Sequence, residues 1–212
     1  MTNNNNVKKK YTTGKGELTG FLAINKPSQQ YDTYNVQILL SKQEGAALVK
    51  ELEDLRQEQF IVSGKKGKLV EVPCKPYTIQ DDTGKETPDP EGRYILKAGG
   101  KGHNSKGEAL PKPKLFNAKL QPITGQVNIG EGTTARLSVV FSGYKAPIGI
   151  GITAKLKGCQ IINLVEYTSS GCSASDFDVE EDGFDGVGEE VKEEPAVTVT
   201  QESGDEEETP DF

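Results

Sequence analysis

Few residues in this chain are equipped for covalent or metal chemistry, and they do not converge. The single histidine, His103, lies in the run Gly100-Lys101-Gly102-His103-Asn104-Ser105-Lys106-Gly107, with no cysteine nearby. A zinc site needs several N, S or O ligands at close spacing, so His103 reads as an ordinary exposed loop residue. Cys74, Cys159 and Cys172 are odd in number and widely spaced. They fit a reducing compartment better than a disulfide framework, and Cys74 and Cys159 read as small apolar fillers of strands. Gly102 and Gly107 have the spacing of a phosphate loop, but Glu108 stands where its lysine must follow. Gly149-Ile150-Gly151 falls inside a strand pattern, where small residues leave a surface smooth enough for something flat to approach. Asp81-Asp82 reads as a solvated turn. Catalysis is not expected, and no cofactor or metal is implied.

What the chain does supply is aromatic rings beside cations. All seven tyrosines lie within residues 1–170, and several have lysines close by: Lys75 with Tyr77, Tyr94 with Lys97, Tyr144 with Lys145. An aromatic face stacks on any nucleobase for roughly 1–3 kcal/mol, while lysines neutralise the phosphates between bases. The candidate stacking residues are Tyr77, Tyr94, Tyr144 and Phe116. The candidate phosphate contacts are Lys75, Lys97, Lys101, Lys112, Lys114, Arg136, Lys145, Lys155 and Lys157. Tyr31 and Tyr34 also fit a core role, and the lysines also fit the solvated face of a soluble sheet.

The charge distribution favours the binding reading. The whole chain of 212 residues carries −7, but residues 1–170 hold 24 basic and 16 acidic side chains, a net +8. Residues 171–212 hold one basic side chain, Lys192, and 16 acidic ones, a net −15. A tethered polyanion competes for a basic groove at an effective concentration that reaches millimolar. The segment has no Leu or Ile, so it buries too little to offset the entropy of ordering and is expected to be disordered. Its tip, Asp205, Glu206, Glu207, Glu208, Asp211 and Phe212, places an apolar ring after a run of carboxylates, a combination suited to partner or groove contact.

These groups need a scaffold, and the periodicity describes one. Residues 1–16 read as a flexible basic arm, residues 17–168 as one domain and residues 169–212 as the tail. Glu17–Asn25 and Tyr31–Leu40 read as a strand pair. Ser41-Lys42-Gln43-Glu44 is a capping-box sequence, and Leu48, Leu52 and Leu55 continue it as an amphipathic helix over 42–60. Short strands are expected at Leu69–Val72, Tyr77–Gln80, Arg93–Ala98 and Leu115–Ala118. Thr134–Ser142 and Ile148–Val165 alternate as two long antiparallel strands around a turn at Gly143 to Pro147, with a bulge or kink at Gly158. In the second, Ile148, Ile150, Ile152, Ala154 and Leu156 share one face, and Gly149, Gly151, Thr153, Lys155 and Lys157 share the other. The N-terminus MTNNNNVKKK lacks an apolar signal region, and no run approaches the ~20 apolar residues that span a bilayer.

Taken in order, these motifs resemble the single-stranded DNA-binding proteins of tailed phages. The likeness runs through Ile129-Gly130-Glu131-Gly132, the alternating strand, Tyr144-Lys145, Gly151, Lys155-Leu156 and Ile161–Val165. It includes the strand, strand, capped-helix order at 17–60, the segments Lys75-Pro76-Tyr77 and Leu115-Phe116, and the terminal Asp211-Phe212. The resemblance implies a mainly β fold: an OB-fold-like five-stranded Greek-key barrel with one capping helix, followed by the acidic tail. It implies a non-enzymatic, sequence-tolerant protein that protects single-stranded DNA in phage replication, recombination and repair. The tail would shield the groove and recruit a DNA polymerase or a helicase/primase, in the cytoplasm of an infected bacterial host. The chain has no Trp, so stacking would rest on Tyr and Phe. A homo-oligomer is compatible with the resemblance, though no defined state carries over. The rival expectation is a β-barrel adaptor that does not bind DNA and whose tail mediates protein–protein contact.

Overall fold

The computed structural model describes residues 6–166. Expectations for the acidic tail, including Asp205 to Glu208, Asp211 and Phe212, lie outside the described residues.

The first element corrects the reading of a flexible arm. Lys8–Thr12 forms strand β1, paired antiparallel with a later strand from Lys8↔Ser142 to Thr12↔Ser138. Its composition is polar and one residue is partly buried: the Tyr11 ring packs on Phe141 with centroids 5.7 Å apart, while Lys8, Lys9, Lys10 and Thr12 are exposed. Thr13 secures the end of the strand. Its backbone N–H donates to the Leu137 carbonyl at 3.0 Å, and its hydroxyl accepts from the Leu137 N–H at 2.9 Å.

Strands β2 (Gly16–Ser28) and β3 (Thr33–Leu40) form the expected pair, with Leu18, Val36, Ile38 and Leu40 fully buried. Helix α1 spans Lys42–Val62 and is capped by Ser41, whose hydroxyl accepts from the Glu44 N–H at 3.3 Å. The reciprocal half of the capping box does not form. The Glu44 carboxylate turns away to accept from the Tyr11 hydroxyl at 2.9 Å and the Gly14 N–H at 2.7 Å. Those donors, brought in by the preceding strands, outcompete a local bond to the cap.

The middle of the chain is shorter in structure than its pattern suggested. Leu69–Val72 contributes only a bridge, Leu69↔Ile150. Strand β4 (Cys74–Pro76) is followed by β5 (Thr78–Gln80) and β6 (Glu86–Pro88), which form a separate two-stranded sheet. Then come β7 (Tyr94–Lys101), β8 (Lys114–Phe116), β9 (Thr134–Ala146) and β10 (Gly149–Asn163). The last two meet across a two-residue turn, Pro147-Ile148, tighter than expected, which leaves Ile148 exposed and not on the buried face.

Pairing closes a ring. β2 pairs with β3, β3 with β7 over its whole length, β7 in parallel with β10 at Gly99↔Lys155, β10 with β9, and β9 back to β2 at Gly16↔Ala135. This is a five-stranded OB-fold-like barrel, and closure leaves few free edges to manage. β1 and β8 are additions, on β9 and β10 respectively.

The interior holds Leu96, Leu137, Val139 and Phe141 from the barrel with Leu48 and Leu52 from α1. Each fully buried side chain of this size contributes about 1.5–3 kcal/mol relative to exposure. The β9–β10 register shifts between Leu156 and Gly158, the bulge that Gly158 suggested. Beyond it the buried parity reverses to Cys159 and Ile161.

Gln59 joins three elements. It is 1% exposed, accepts from the Val7 N–H at 3.0 Å, and donates to Ser63 Oγ at 3.0 Å and Asn6 Oδ1 at 3.1 Å. Gly143 makes room for it: a Cβ there would meet Gln59 Oε1 at 2.1 Å.

Candidate nucleic-acid interface

On β10 the alternation places Ile152, Ala154 and Leu156 inside and Lys155 and Lys157 outside. On β7 it places Leu96 and Ala98 inside and exposes Lys97 and Lys101. The two strands are parallel neighbours at Gly99, so four lysines from distant parts of the chain share one surface. They line an open groove of about 870 Å³ together with Thr33, Asn35, Thr153, Leu110 and Tyr144. Gly100 has open space where a side chain would stand, which keeps the floor low. Glu71 is the one acidic residue in the lining. Among the described residues, none of the four lysines forms an ion pair within 4.0 Å.

Two tyrosines line this groove, and Tyr144 is the less buried of them. It is the cross-strand partner of Gly151, and a Cβ on Gly151 would lie 2.6 Å from the tyrosine hydroxyl. The smooth patch in the sequence therefore receives a ring from its own chain. The ring rests against the sheet beside Thr153 and Lys155.

A second groove, also about 870 Å³, is lined by Lys112, Lys114 and Phe116 with Lys26 and Ile24. It shares Pro111 with the first. Eight sequence candidates thus fall into two adjoining basic grooves, the first with Tyr144 and the buried Tyr34 in its lining and the second with Phe116.

The remaining candidates lie elsewhere. Tyr94 has the parity of Leu96 and Ala98, packs on the core and supports α1: a Cβ on Gly45 would lie 2.3 Å from its own Cβ. The Tyr77 ring is covered by the Arg93 guanidinium, 5.8 Å from its centroid. Lys145 donates to the Ser63 carbonyl at 2.9 Å, at the C-terminal end of α1. Lys75 on β4 and Arg136 on β9 are exposed, outside both groove linings. Tyr34 is core, whereas Tyr31 is 69% exposed.

One structural arrangement beside the groove has no obvious sequence signal. His103, read as an ordinary loop residue, is clasped by Asp32: its backbone N–H donates to Oδ2 and its Nδ1 lies at 2.9 Å from Oδ1. The Gly102 N–H donates to the Asp32 carbonyl at 2.7 Å, and the Leu110 N–H to the Gly102 carbonyl at 2.7 Å. Asp32 itself has φ 49°, a left-handed conformation that Asp tolerates better than most residues. This clasp ties the β2–β3 turn to the segment carrying Lys101 and Leu110, one wall of the first groove.

The buried thiols take no part in the grooves. Burial pushes Cys74 up to about 12, with the Glu44 charge adding to it, and burial alone pushes Cys159 up to about 12. Among the described residues, no group of three or more His, Cys, Asp or Glu side chains is arranged to hold a metal ion. No helix among them is long and apolar enough to cross a membrane.

No protein-family model matches the chain, and no curated protein matches it by sequence. Solved structures do match. The crystal structure of gp2.5, a single-stranded DNA-binding protein encoded by bacteriophage T7, aligns with a TM-score of 0.58 at 16% identity, over 84% of this chain and 98% of that one. The single-stranded DNA-binding protein from bacteriophage Enc34 aligns with a TM-score of 0.52 at 14% identity, over 79% of this chain and 88% of that one. The Enc34 protein in complex with single-stranded DNA aligns with a TM-score of 0.51 at 14% identity, over 74% of this chain and 88% of that one. In fold, then, the chain resembles the single-stranded DNA-binding proteins of bacteriophages, the family its sequence motifs suggested.

Proposed function

We propose that this protein binds single-stranded DNA, without sequence preference, along the groove between β7 and β10. The observation that carries the reading is the grouping of Tyr144 with Lys97, Lys101, Lys155 and Lys157 on one open surface. A ring packed beside Gly151 offers a face to any base, and lysines around it pair with phosphates without reading sequence. The adjoining groove, with Phe116, Lys112 and Lys114, continues the path past Pro111. The fold neighbour solved with single-stranded DNA supports the same ligand. No step in this reading is catalytic.

The biological role is the protection of single-stranded DNA during phage replication and recombination. The acidic residues of 171–212 compete for the basic groove when DNA is absent, and their tip around Phe212 recruits a replication partner such as a polymerase or helicase/primase.

The test is a titration with oligothymidylate followed by tyrosine fluorescence, repeated over a range of salt. Saturable quenching is expected, with affinity falling by a slope of about −0.7 per phosphate contacted. Removing residues 171–212 is expected to tighten binding at moderate salt. Absence of saturable binding would instead favour the adaptor reading.

A further inference from the structure

Barrel strands, β8 and the loops beside it line the two grooves, whereas β1 lines neither, and its lysines Lys8 and Lys10 have no role so far. Register relates them to the first groove. Lys10 pairs with Val140, and Val140 pairs with Lys155; Lys8 pairs with Ser142, and Ser142 pairs with Thr153. Residues directly opposite one another in a sheet project from the same face. Lys8 and Lys10 therefore share the face of Thr153 and Lys155, which line the groove. Adjacent strands lie about 4.7–4.9 Å apart, so Lys10 lies roughly 10 Å from Lys155 in the sheet.

The intervening residues give the opposite parity its own check. Tyr11 pairs with Val139 and packs on the core, and Lys9 pairs with Phe141. Lys9 is accordingly turned to the other face, where it forms an ion pair with Glu51 of α1. All three lysines are exposed, but register and pairing divide them: Lys9 anchors the strand on the helix side, and Lys8 and Lys10 lie on the groove side without an ion pair among the described residues.

We propose that β1 is a built-in extension of the nucleic-acid surface, with Lys8 and Lys10 contacting phosphates of a strand that leaves the groove across β10 and β9. The inference rests on the single-stranded DNA reading above. It adds contacts that the five-stranded barrel alone does not provide.

The test uses the full chain and an oligothymidylate of about 16 nucleotides, the upper end of OB-fold site sizes. The slope of log affinity against log salt is measured for the wild type, the double variant K8A/K10A and the single variant K9A. The double variant is expected to lose about 1.4 from the magnitude of the slope, two phosphates at about 0.7 each, with its melting temperature unchanged. K9A is expected to keep the slope and melt lower. A wild type that binds with a slope the double variant leaves unchanged overturns the role of β1 and leaves the groove reading intact. A wild type without saturable binding overturns both.

Discussion

The ring of Tyr144 lies over Gly151, its partner across the β9–β10 hairpin, so closely that a methyl group on the glycine would stand 2.6 Å from the tyrosine hydroxyl. A glycine inside a strand costs stability, and here it leaves room for the tyrosine ring on a sheet surface bordered by lysines.

Replacing Tyr144 by Ala is therefore expected to weaken oligothymidylate binding by about 1–3 kcal/mol, the stacking contribution of one base. Tyr144→Phe keeps the ring and is expected to stay near wild type. Gly151→Val is expected to act like the Ala variant by lifting the ring, although it touches no lysine. Fluorescence anisotropy of a labelled oligonucleotide measures all three.

The lysines separate by position. Lys97→Ala and Lys155→Ala are each expected to lower the magnitude of the salt slope by about 0.7. Arg136→Ala, outside both groove linings, is expected to leave it unchanged. The check is the salt dependence of affinity, not affinity at one salt concentration.

The structure also explains which candidates could be read from the chain. The parity of β10 was plain because Ile152, Ala154 and Leu156 alternate with Thr153, Lys155 and Lys157, and the structure keeps that division. Tyr94 has Lys97 close by in sequence, which suggests a binding role, but the structure packs it on the core. Its i+2 and i+4 partners, Leu96 and Ala98, are buried and mark it as core. Arg93 lies over Tyr77, and Lys145 bonds to the Ser63 carbonyl; neither contact is revealed by periodicity. Strand β1 was hidden for a different reason. Three lysines look like an arm until an edge of β9 is available to pair them.

Helix α1 seals the barrel through few side chains, so its loss is costly. Leu48→Ala is expected to destabilise the fold by about 2–5 kcal/mol. Gln59→Leu leaves the half-buried Val7 N–H without its acceptor and is expected to cost about 1–3 kcal/mol. Urea denaturation followed by circular dichroism measures both.

Acid is expected to weaken the fold through specific carboxylates. The Asp89 carboxyl is held below its ordinary range by the Arg93 side chain, which donates from Nη2 at 2.9 Å and from Nε at 3.1 Å, and by the Arg93 backbone N–H. Glu131 is lowered by the Thr19 hydroxyl and the Gly20 N–H. A depressed carboxylate adds stability that is fully present above its unfolded pKa, about 4, and is lost as pH falls through the lower folded value. Asp89→Asn is expected to melt lower at neutral pH and to lose less on acidification, as thermal scans across this range would record.

The thiols offer a check on packing. With Cys74 and Cys159 both pushed up to about 12, neither carries appreciable thiolate near neutrality. In a Cys172→Ser background the folded protein is expected to resist a thiol reagent at mildly alkaline pH. Two thiols are then expected to react once denaturant is added.

The account rests on DNA lying against Tyr144, and photo-crosslinking tests that contact directly. Irradiating the full chain with an oligonucleotide carrying 5-bromodeoxyuridine, then mapping the modified peptide by mass spectrometry, locates the base. The predicted result is a crosslink at Tyr144, abolished by Tyr144→Ala and by excess unlabelled oligothymidylate. Crosslinks confined to peptides of α1 or to the β5–β6 sheet, with none at Tyr144, would contradict it.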